Sequence, residues 1–321
     1  MPIIADTQRL QADNPGWDCW YLTGPTASGK TSVAIPLAEE LGAEIISLDS
    51  MAVYRELDVG TAKPTDDERM TIRHHMIDVV DPSEDYNLAE YVQGAYEKIH
   101  DLRRRNKKVL FVGGTPLYLK AMLRGIFAGP PADPDLRKDL FEKAQYMPPN
   151  FLHNELGKID PVSAKRLHPN DTKRLIRAIE VFRKSGISIS TWQQQFETPA
   201  PLSRCKVVVL DWPREMLNER INRRVDLMMD HGFLDEVVQL TKRFLPINKT
   251  AAQAIGYKEL FDYLDKKTSL HSAVELIKQN SRQFAKRQMT WFRSLAECQF
   301  ISVHTNTAKI QIIEHIKTIF D

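Results

Sequence analysis

At 321 residues, with 42% hydrophobic and 27% charged side chains, the chain can bury a sizeable core, enough for one large domain plus an insertion or a second small domain. A formal net charge of only +2 excludes a polycation, so any affinity for nucleic acid must come from local patches. No stretch is long and apolar enough to span a bilayer, and the isolated Cys19, Cys205 and Cys298 read as buried thiols of a reducing cytoplasm.

Residues 1–16 lack a basic n-region and a long apolar run, so they are expected to be a flexible extension, neither signal peptide nor anchor. Asp18–Thr23 reads as a buried strand feeding "GPTASGKT", which fits Gly-x-x-x-x-Gly-Lys-[Ser/Thr]. "KTSVAIPLAEELG" predicts a helix ended by Gly42 and kinked at Pro36. "AEIISLDS" is a second strand delivering Asp49 and Ser50 at its end. "RHHMIDVVDP" pairs two histidines without a third ligand at metal spacing, so they read as strand-end supports. "AEYVQGAYEKIHDLRRRNKK" is an amphipathic helix whose "RRRNKK" exit is a turn, and "VLFVGGT" is a third strand opening into a helix from about Thr115.

Strands alternating with helices imply a parallel sheet covered on both faces, with ligands beyond the strand C-termini. Gly24–Thr31, Asp49 and Gly113–Thr115 all fall at that edge. After the Pro- and Asp-rich "AGPPADPD" the sequence turns helical, and the buried-strand pattern returns only at "CKVVVLDWP". The fold class is therefore α/β: a P-loop NTPase-like parallel-sheet core over 17–130 and 201–321, an all-helical insertion over 131–200, and a helical C-terminal part from Pro213 to about Ser294.

The Gly-rich loop aims backbone N–H groups and a helix N-terminus at a phosphate; Lys30 adds charge, and the Thr31 hydroxyl is placed to hold Mg²⁺. An ordinary NTPase also shows an apolar strand ending in a water-positioning acid. Only "VVVLD" (Val207–Asp211) imitates it, far along the chain. Asp49, at the tip of the adjacent strand, is the acid to weigh, either a turn former beside Ser50 or an acceptor beside the phosphate site. On "LNERINRRVDLMMDHG", Arg224 falls within the stripe of Leu217, Ile221 and Met228, while Arg220 and Arg223 point progressively away. Such a guanidinium needs an internal carboxylate or a bound anion, and the phosphate loop favours the anion.

Two basic helical faces point to a polyanion. In "VELIKQNSRQFAKRQMTWFR", Ile277, Phe284 and Trp291 form an apolar seam, with Lys278, Arg282, Lys286 and Arg293 on another arc. In "HPNDTKRLIRAIEVFRKSG", Leu175, Ile176, Ile179 and Phe182 pack inward, and Lys173, Arg174 and Arg177 lie outward with only Glu180 interrupting.

With these segments in hand, the chain resembles the tRNA dimethylallyltransferase family over nearly all its length after the first fifteen or so residues. The likeness rests on "GPTASGKT", "DSMAVYRELDVGTAKP", "HHMIDVVDP", "VGGTPLYLKAM", "ADPDLR", "HPNDTKRLIRAIEV", "AIGYKEL" and "AKRQMTWFR". Ala52 and Lys173 depart from the residues most common there. The resemblance implies transfer of a dimethylallyl group from dimethylallyl diphosphate to N6 of the adenosine 3′ of the anticodon, with Mg²⁺ as cofactor. Asp49 would take the amine proton beside Thr115, while Arg224 and the loop residues Gly24, Pro25, Thr26, Ala27, Ser28, Gly29, Lys30 and Thr31 would grip the diphosphate. Implied tRNA contacts are Asp49, Ser50, Met51, Ala52, Thr115, Arg137, Lys173, Arg174, Leu175, Ile176 and Arg177. They continue with Gln253, Gly256, Tyr257, Lys258, Lys286, Arg287, Gln288, Trp291 and Arg293. The insertion would clasp the anticodon stem-loop, and a cytoplasmic monomer is expected. The competing readings are a P-loop small-molecule kinase, which leaves the basic helices idle, prenyl transfer to a free adenine nucleotide, which offers no polyanion, and a non-catalytic RNA-binding module, which leaves the phosphate loop without work.

Overall fold

Six strands, β1 (Trp20–Thr23), β2 (Ala43–Ser47), β3 (His74–His75), β4 (Lys108–Gly113), β5 (Lys206–Asp211) and β6 (Cys298–Ser302), form one sheet in the order β3-β2-β4-β1-β5-β6. Every pairing is parallel. The computed structural model describes residues 14–127, 129–196 and 198–320. Residues 1–13 of the expected extension lie outside them. The remainder of that extension is fixed: the Asn14 amide donates to the Met122 and Leu123 carbonyls at 2.9 and 3.3 Å, and the neighbouring Trp17 indole donates to Leu123 at 2.8 Å.

The central strands are apolar runs because both faces are covered. On one face Leu22, Leu110 and Val208 pack under helices Lys30–Leu41 and Lys309–Phe320. On the other, Tyr21 and Phe111 stack with centroids 4.8 Å apart. The helix after the phosphate loop runs unbroken through Pro36 and ends at Gly42, whose φ of 62° lets the chain reverse into β2. The edge strands β3 and β6 were not foreseen. "HH" and "CQFIS" carry no apolar run, since an edge strand needs only one paired side.

The carboxyl tips of β2 and β4 are clamped together. Leu48 N donates to the Val112 carbonyl at 2.8 Å, and Thr115 N to the Leu48 carbonyl at 3.1 Å. At Gly113 the backbones approach so closely that a Cβ would stand 2.3 Å from the Leu48 oxygen. Beneath these tips, Val53, Tyr54 and Leu57 pack with Val225, Phe233, Tyr257 and Ile277 in a second core that carries the later helices.

The chain divides into two units, one of residues Met1–Leu123 and Pro199–Asp321, the other of Arg124–Thr198. The second unit is helical, with Leu140, Leu156, Leu175, Ile176 and Ile179 at its centre. Asp133, Asp160, Asp171 and Ser188 each cap a helix through their side-chain oxygens. Leu175 and Ile176 are thus core residues, and the expectation that they touch tRNA is corrected. Glu180 does not interrupt an outward basic face. It is fully buried, and it receives Asp133 N at 2.6 Å, both Arg137 Nε and Nη2 at 2.9 Å, and Arg177 Nη1. Burial opposes its charge, but these donors outweigh burial and hold its pKa below the ordinary value. Lys173, Arg174, Arg183 and Lys184 are the exposed cations on that helix.

Replacing Gly113 by Ala forces the new methyl into the Leu48 carbonyl. The variant is expected to lose about 1–3 kcal/mol of stability, read as a lower urea midpoint with an unchanged slope.

Candidate active site

Strand β1 runs directly into Gly24–Thr31, which places the loop at the carboxyl edge of the sheet. Gly29 sits at a left-handed φ of 89°, and the helix starts at Lys30. The first-turn N–H groups have no intrahelical acceptor, so they are free to receive an anion. The loop is braced by side chains from distant segments. Arg220 Nε donates to the Ala27 carbonyl at 2.8 Å while its guanidinium stacks 4.2 Å over the Trp212 ring. Trp212 Nε1 donates to the Ser28 carbonyl at 2.9 Å. The buried Ser28 hydroxyl has no hydrogen-bond partner among the described residues.

Lys30 Nζ lies back on the carbonyls of Gly24 and Pro25, at 2.9 and 2.8 Å. Burial, and then the neighbouring charge of Arg224, pull its pKa down to about 7, against the opposing influence of Asp49. Arg224 is held similarly short of compensation. Its one hydrogen bond among the described residues goes to the Thr61 carbonyl at 3.3 Å, and no carboxylate there approaches it within 4 Å. Burial lowers its pKa too, with Asp49 opposing. The internal-carboxylate alternative for this arginine therefore finds no support. Around it Leu217, Ile221 and Val225 are buried, and Met228 is half-buried.

Two cavities meet at these residues. The first, about 590 Å³, is lined by the loop from Thr26 to Thr31 apart from Ser28, by Asp49 and Ala52, and by Arg220, Arg223 and Arg224. The second, about 360 Å³, is lined by Ser50, Met51, Thr115, Met228, Phe233, Ile255, Tyr257 and Ile277, a largely apolar set. Thr26, Asp49, Thr61, Arg224, Phe284 and Gln288 border both. Asp49 Oδ1 accepts from Met51 N at 2.8 Å and Ala52 N at 3.3 Å. Oδ1 is thus taken by the turn, whereas Oδ2 makes no hydrogen bond within the described residues. Thr115 Oγ1 accepts from Ser50 N at 3.1 Å, so it orders the turn that carries the carboxylate.

Metal chemistry has one natural place here. Among the described residues no cluster of three or more His, Cys, Asp or Glu stands together, and His75 is instead paired with Glu44 at 2.7 Å. Thr31 lines the first cavity, and its hydroxyl has no protein partner among those residues. That donor set suits Mg²⁺, which takes few protein oxygens and keeps phosphate and water as its other ligands.

The family model described as IPP transferase matches residues 52–295. The chain belongs to the IPP transferase family. It is 46% identical to the tRNA dimethylallyltransferase of Thermotoga maritima over 274 residues, covering 85% of this chain and 88% of that one. It is 42% identical to that of Syntrophobacter fumaroxidans over 319 residues, covering 99% and 92%. Among solved structures it is similar to the full-length tRNA isopentenylpyrophosphate transferase of Bacillus halodurans, with 37% identity, a TM-score of 0.67 and coverage of 94% and 96%. It is also similar to a eukaryotic dimethylallyltransferase acting on tRNA, with 28% identity, a TM-score of 0.76 and coverage of 92% and 77%.

Within this IPP transferase-family chain the remaining site expectations separate by burial. Lys258, Lys286, Arg287, Trp291, Arg293 and Gln253 are exposed. Gly256 and Tyr257 are buried, the Tyr257 hydroxyl donates to Glu236 at 2.6 Å, and Tyr257 lines the second cavity, so neither lies on the outer surface. Gln288 is likewise buried. The apolar seam on helix Leu270–Arg293 runs through Ile277, Ala285, Met289 and Phe292, while Trp291 faces solvent. Lys278 is drawn off the basic arc by Asp226 and Glu275, at 2.8 and 3.0 Å.

Three further residues carry the site without having been singled out. Glu236 accepts from the backbone N–H groups of Asp58, Val59 and Gly60 at 3.0, 2.6 and 3.3 Å, which sets the position of Thr61 and its carbonyl. Lys63 is buried between Asp58 and Asp78, at 2.7 and 2.6 Å. Trp212 supports the loop. The available signal was "DVGTAKP", a short loop whose lysine can be buried only if acids meet it.

An anion in the first cavity favours the charged form of Lys30, whose pKa in the free protein is lowered to about 7 from 10.5. Diphosphate binding at pH 8 is therefore expected to take up nearly one proton more in the wild type than in Lys30→Met, and affinity should weaken as pH rises past 7. Calorimetry in buffers of different ionisation enthalpy measures this uptake. In the free protein the sign is reversed: the unfolded chain binds the extra proton between about 7 and 10.5, so stability rises with pH across that window.

Proposed function

We propose that this chain transfers a dimethylallyl group from dimethylallyl diphosphate to N6 of the adenosine 3′ of the anticodon in tRNA, releasing diphosphate. The observation that carries the reading is the wall shared by the two cavities. Asp49 and Arg224 stand between a cation-rich chamber built on a phosphate loop and an apolar chamber large enough for a prenyl chain meeting a flat base.

In the reaction the allylic C–O bond breaks and a C–N6 bond forms, so negative charge grows on the departing diphosphate. The loop N–H groups, Lys30 and Arg224 meet that charge, and burial of the two cations strengthens such interactions. Mg²⁺, when bound, neutralises part of the same charge, and Thr31 is the residue that would hold it. The exocyclic amine of adenine is a weak nucleophile because its lone pair is conjugated with the ring. It gains from losing its proton to Asp49 Oδ2 as the bond forms, while Oδ1 stays tied to its turn. The base reaches Asp49 only by leaving its stack, at a cost of a few kcal/mol. Met51, Met228 and Phe284 offer apolar surface to offset it.

The polyanion reading gives the exposed Lys286, Arg287, Trp291 and Arg293 an RNA surface, and Lys173 and Arg174 of the helical insertion another. Arg137 and Arg177 act there by holding the insertion on Glu180. Cys19, Cys205 and Cys298 form no disulfide among the described residues, which suits the reducing cytoplasm.

Purified protein with Mg²⁺, labelled dimethylallyl diphosphate and unmodified tRNA is expected to place label in the RNA. Label in AMP, or ATP consumption without prenyl transfer, would overturn the reading. Asp49→Ala is expected to lower turnover by about a hundredfold or more with tRNA affinity kept, measured by filter binding beside the kinetic assay.

A further inference from the structure

Gln288 is polar and only 3% exposed, although its neighbours Lys286 and Arg287 on the same helix face solvent. Its amide spans two strand tips. Oε1 accepts from Thr26 N at 2.9 Å, and Nε2 donates to the Gly114 carbonyl at 2.5 Å. The amide orientation is settled by its partners, because an N–H needs an acceptor and a carbonyl needs a donor. Room for the contact exists because residue 114 is glycine: a Cβ there would stand 2.7 Å from Nε2. No other uncharged side chain of this length both gives and takes a hydrogen bond in that fork.

The two anchored points belong to the two halves of the chemistry. Thr26 opens the phosphate loop, and Gly114 directly precedes Thr115, which orders the Ser50 turn beside Asp49. Both Thr26 and Gly114 border both cavities. We propose that Gln288 is a positioning residue that fixes the diphosphate cradle against the tip carrying Thr115, and so sets the separation of leaving group and nucleophile. It is not an RNA contact. The inference rests on the proposed reaction and refines it: with both amide bonds gone, Thr26 N–H and the Gly114 carbonyl lose their partners and the loop is free to shift. Displacements of about 1 Å at such a site cost up to roughly a hundredfold in rate.

The test compares wild type, Gln288→Met and Gln288→Glu. Methionine keeps the volume and loses both bonds. Glutamate keeps the acceptor for Thr26 N–H, sets a carboxylate against the Gly114 oxygen and adds negative charge to the cavity wall. Three readouts are taken on protein shown by circular dichroism to be folded: Kd for inorganic diphosphate with Mg²⁺, Kd for tRNA, and the single-turnover rate with both substrates saturating. For each variant the diphosphate Kd is expected to rise and the single-turnover rate to fall by about tenfold, with tRNA Kd within twofold of wild type. A weakened tRNA Kd with the other two unchanged returns Gln288 to RNA contact and overturns the proposal. Variants that match wild type in diphosphate Kd and single-turnover rate overturn it as well, leaving only a packing role. Should Gln288→Met not fold, Gln288→Glu decides. A wild type that binds diphosphate but does not prenylate tRNA defeats the proposed function, and the two failures are told apart by the wild-type controls.

Discussion

Positive charge left without a counter-charge is the constraint on which this site depends. Lys30, Arg220, Arg223 and Arg224 line one cavity, and among the described residues none of the four has a carboxylate within 4 Å. Lys30 and Arg224 repel one another, and burial disfavours both charges. A folded protein tolerates that arrangement only if something else holds it together. Here the scaffold does so through carbonyls: Gly24 and Pro25 for Lys30, Ala27 for Arg220, Thr61 for Arg224. Carbonyl dipoles steady these groups without a counter-charge, so an incoming anion meets unpaired arginines and a lysine that takes up its proton as the anion binds.

The acidic side of the site obeys the complementary rule. Asp49 is the one carboxylate bordering both cavities, and half of it is committed to backbone N–H groups. That commitment fixes the direction of the remaining oxygen without a cation to pair it. A lysine or arginine bonded to Asp49 would have occupied that oxygen. The carboxylates that do bind cations tightly lie elsewhere. Glu180 holds the second unit, Asp58 and Asp78 hold Lys63, and Glu44 binds Arg105 at 2.6 Å.

Much of this was legible in the residues, for reasons that differ from place to place. The phosphate loop, the Gly42 stop and the strands β1, β2, β4 and β5 were readable because local sequence dictates them: glycines at left-handed positions and apolar runs buried on both faces. Arg224 was readable because a cation in an apolar stripe has few physical outcomes. Trp291 was misread because heptad spacing was matched from Ile277 and Phe284. A straight helix drifts from that spacing, and Met289 and Phe292 take the buried arc by its end. Glu180 was misread because helical position gives the face but not the partner: Arg137, 43 residues away, turns an outward-looking acid into the centre of a unit. Gln288 was assigned to RNA by the family resemblance, together with its basic neighbours. Only the tertiary fold could show that its amide points the other way.

The same reasoning explains why the loop from Asp58 to Lys63 is held by polar contacts at both ends where a simpler hydrophobic turn would have served. Arg224 needs a carbonyl at a fixed place, and a carbonyl is fixed only if the peptides before it are. Glu236 does this by gathering three consecutive N–H groups and the Tyr257 hydroxyl. Lys63 closes the other end on Tyr54, Asp58 and Asp78. Glu236, Asp58 and Asp78 outnumber Lys63, yet each carboxylate is tied to N–H groups, a hydroxyl or a cation of its own layer, and none reaches Arg224 within 4 Å. A rigid support whose acids are all engaged is what leaves Arg224 uncompensated at the cavity wall.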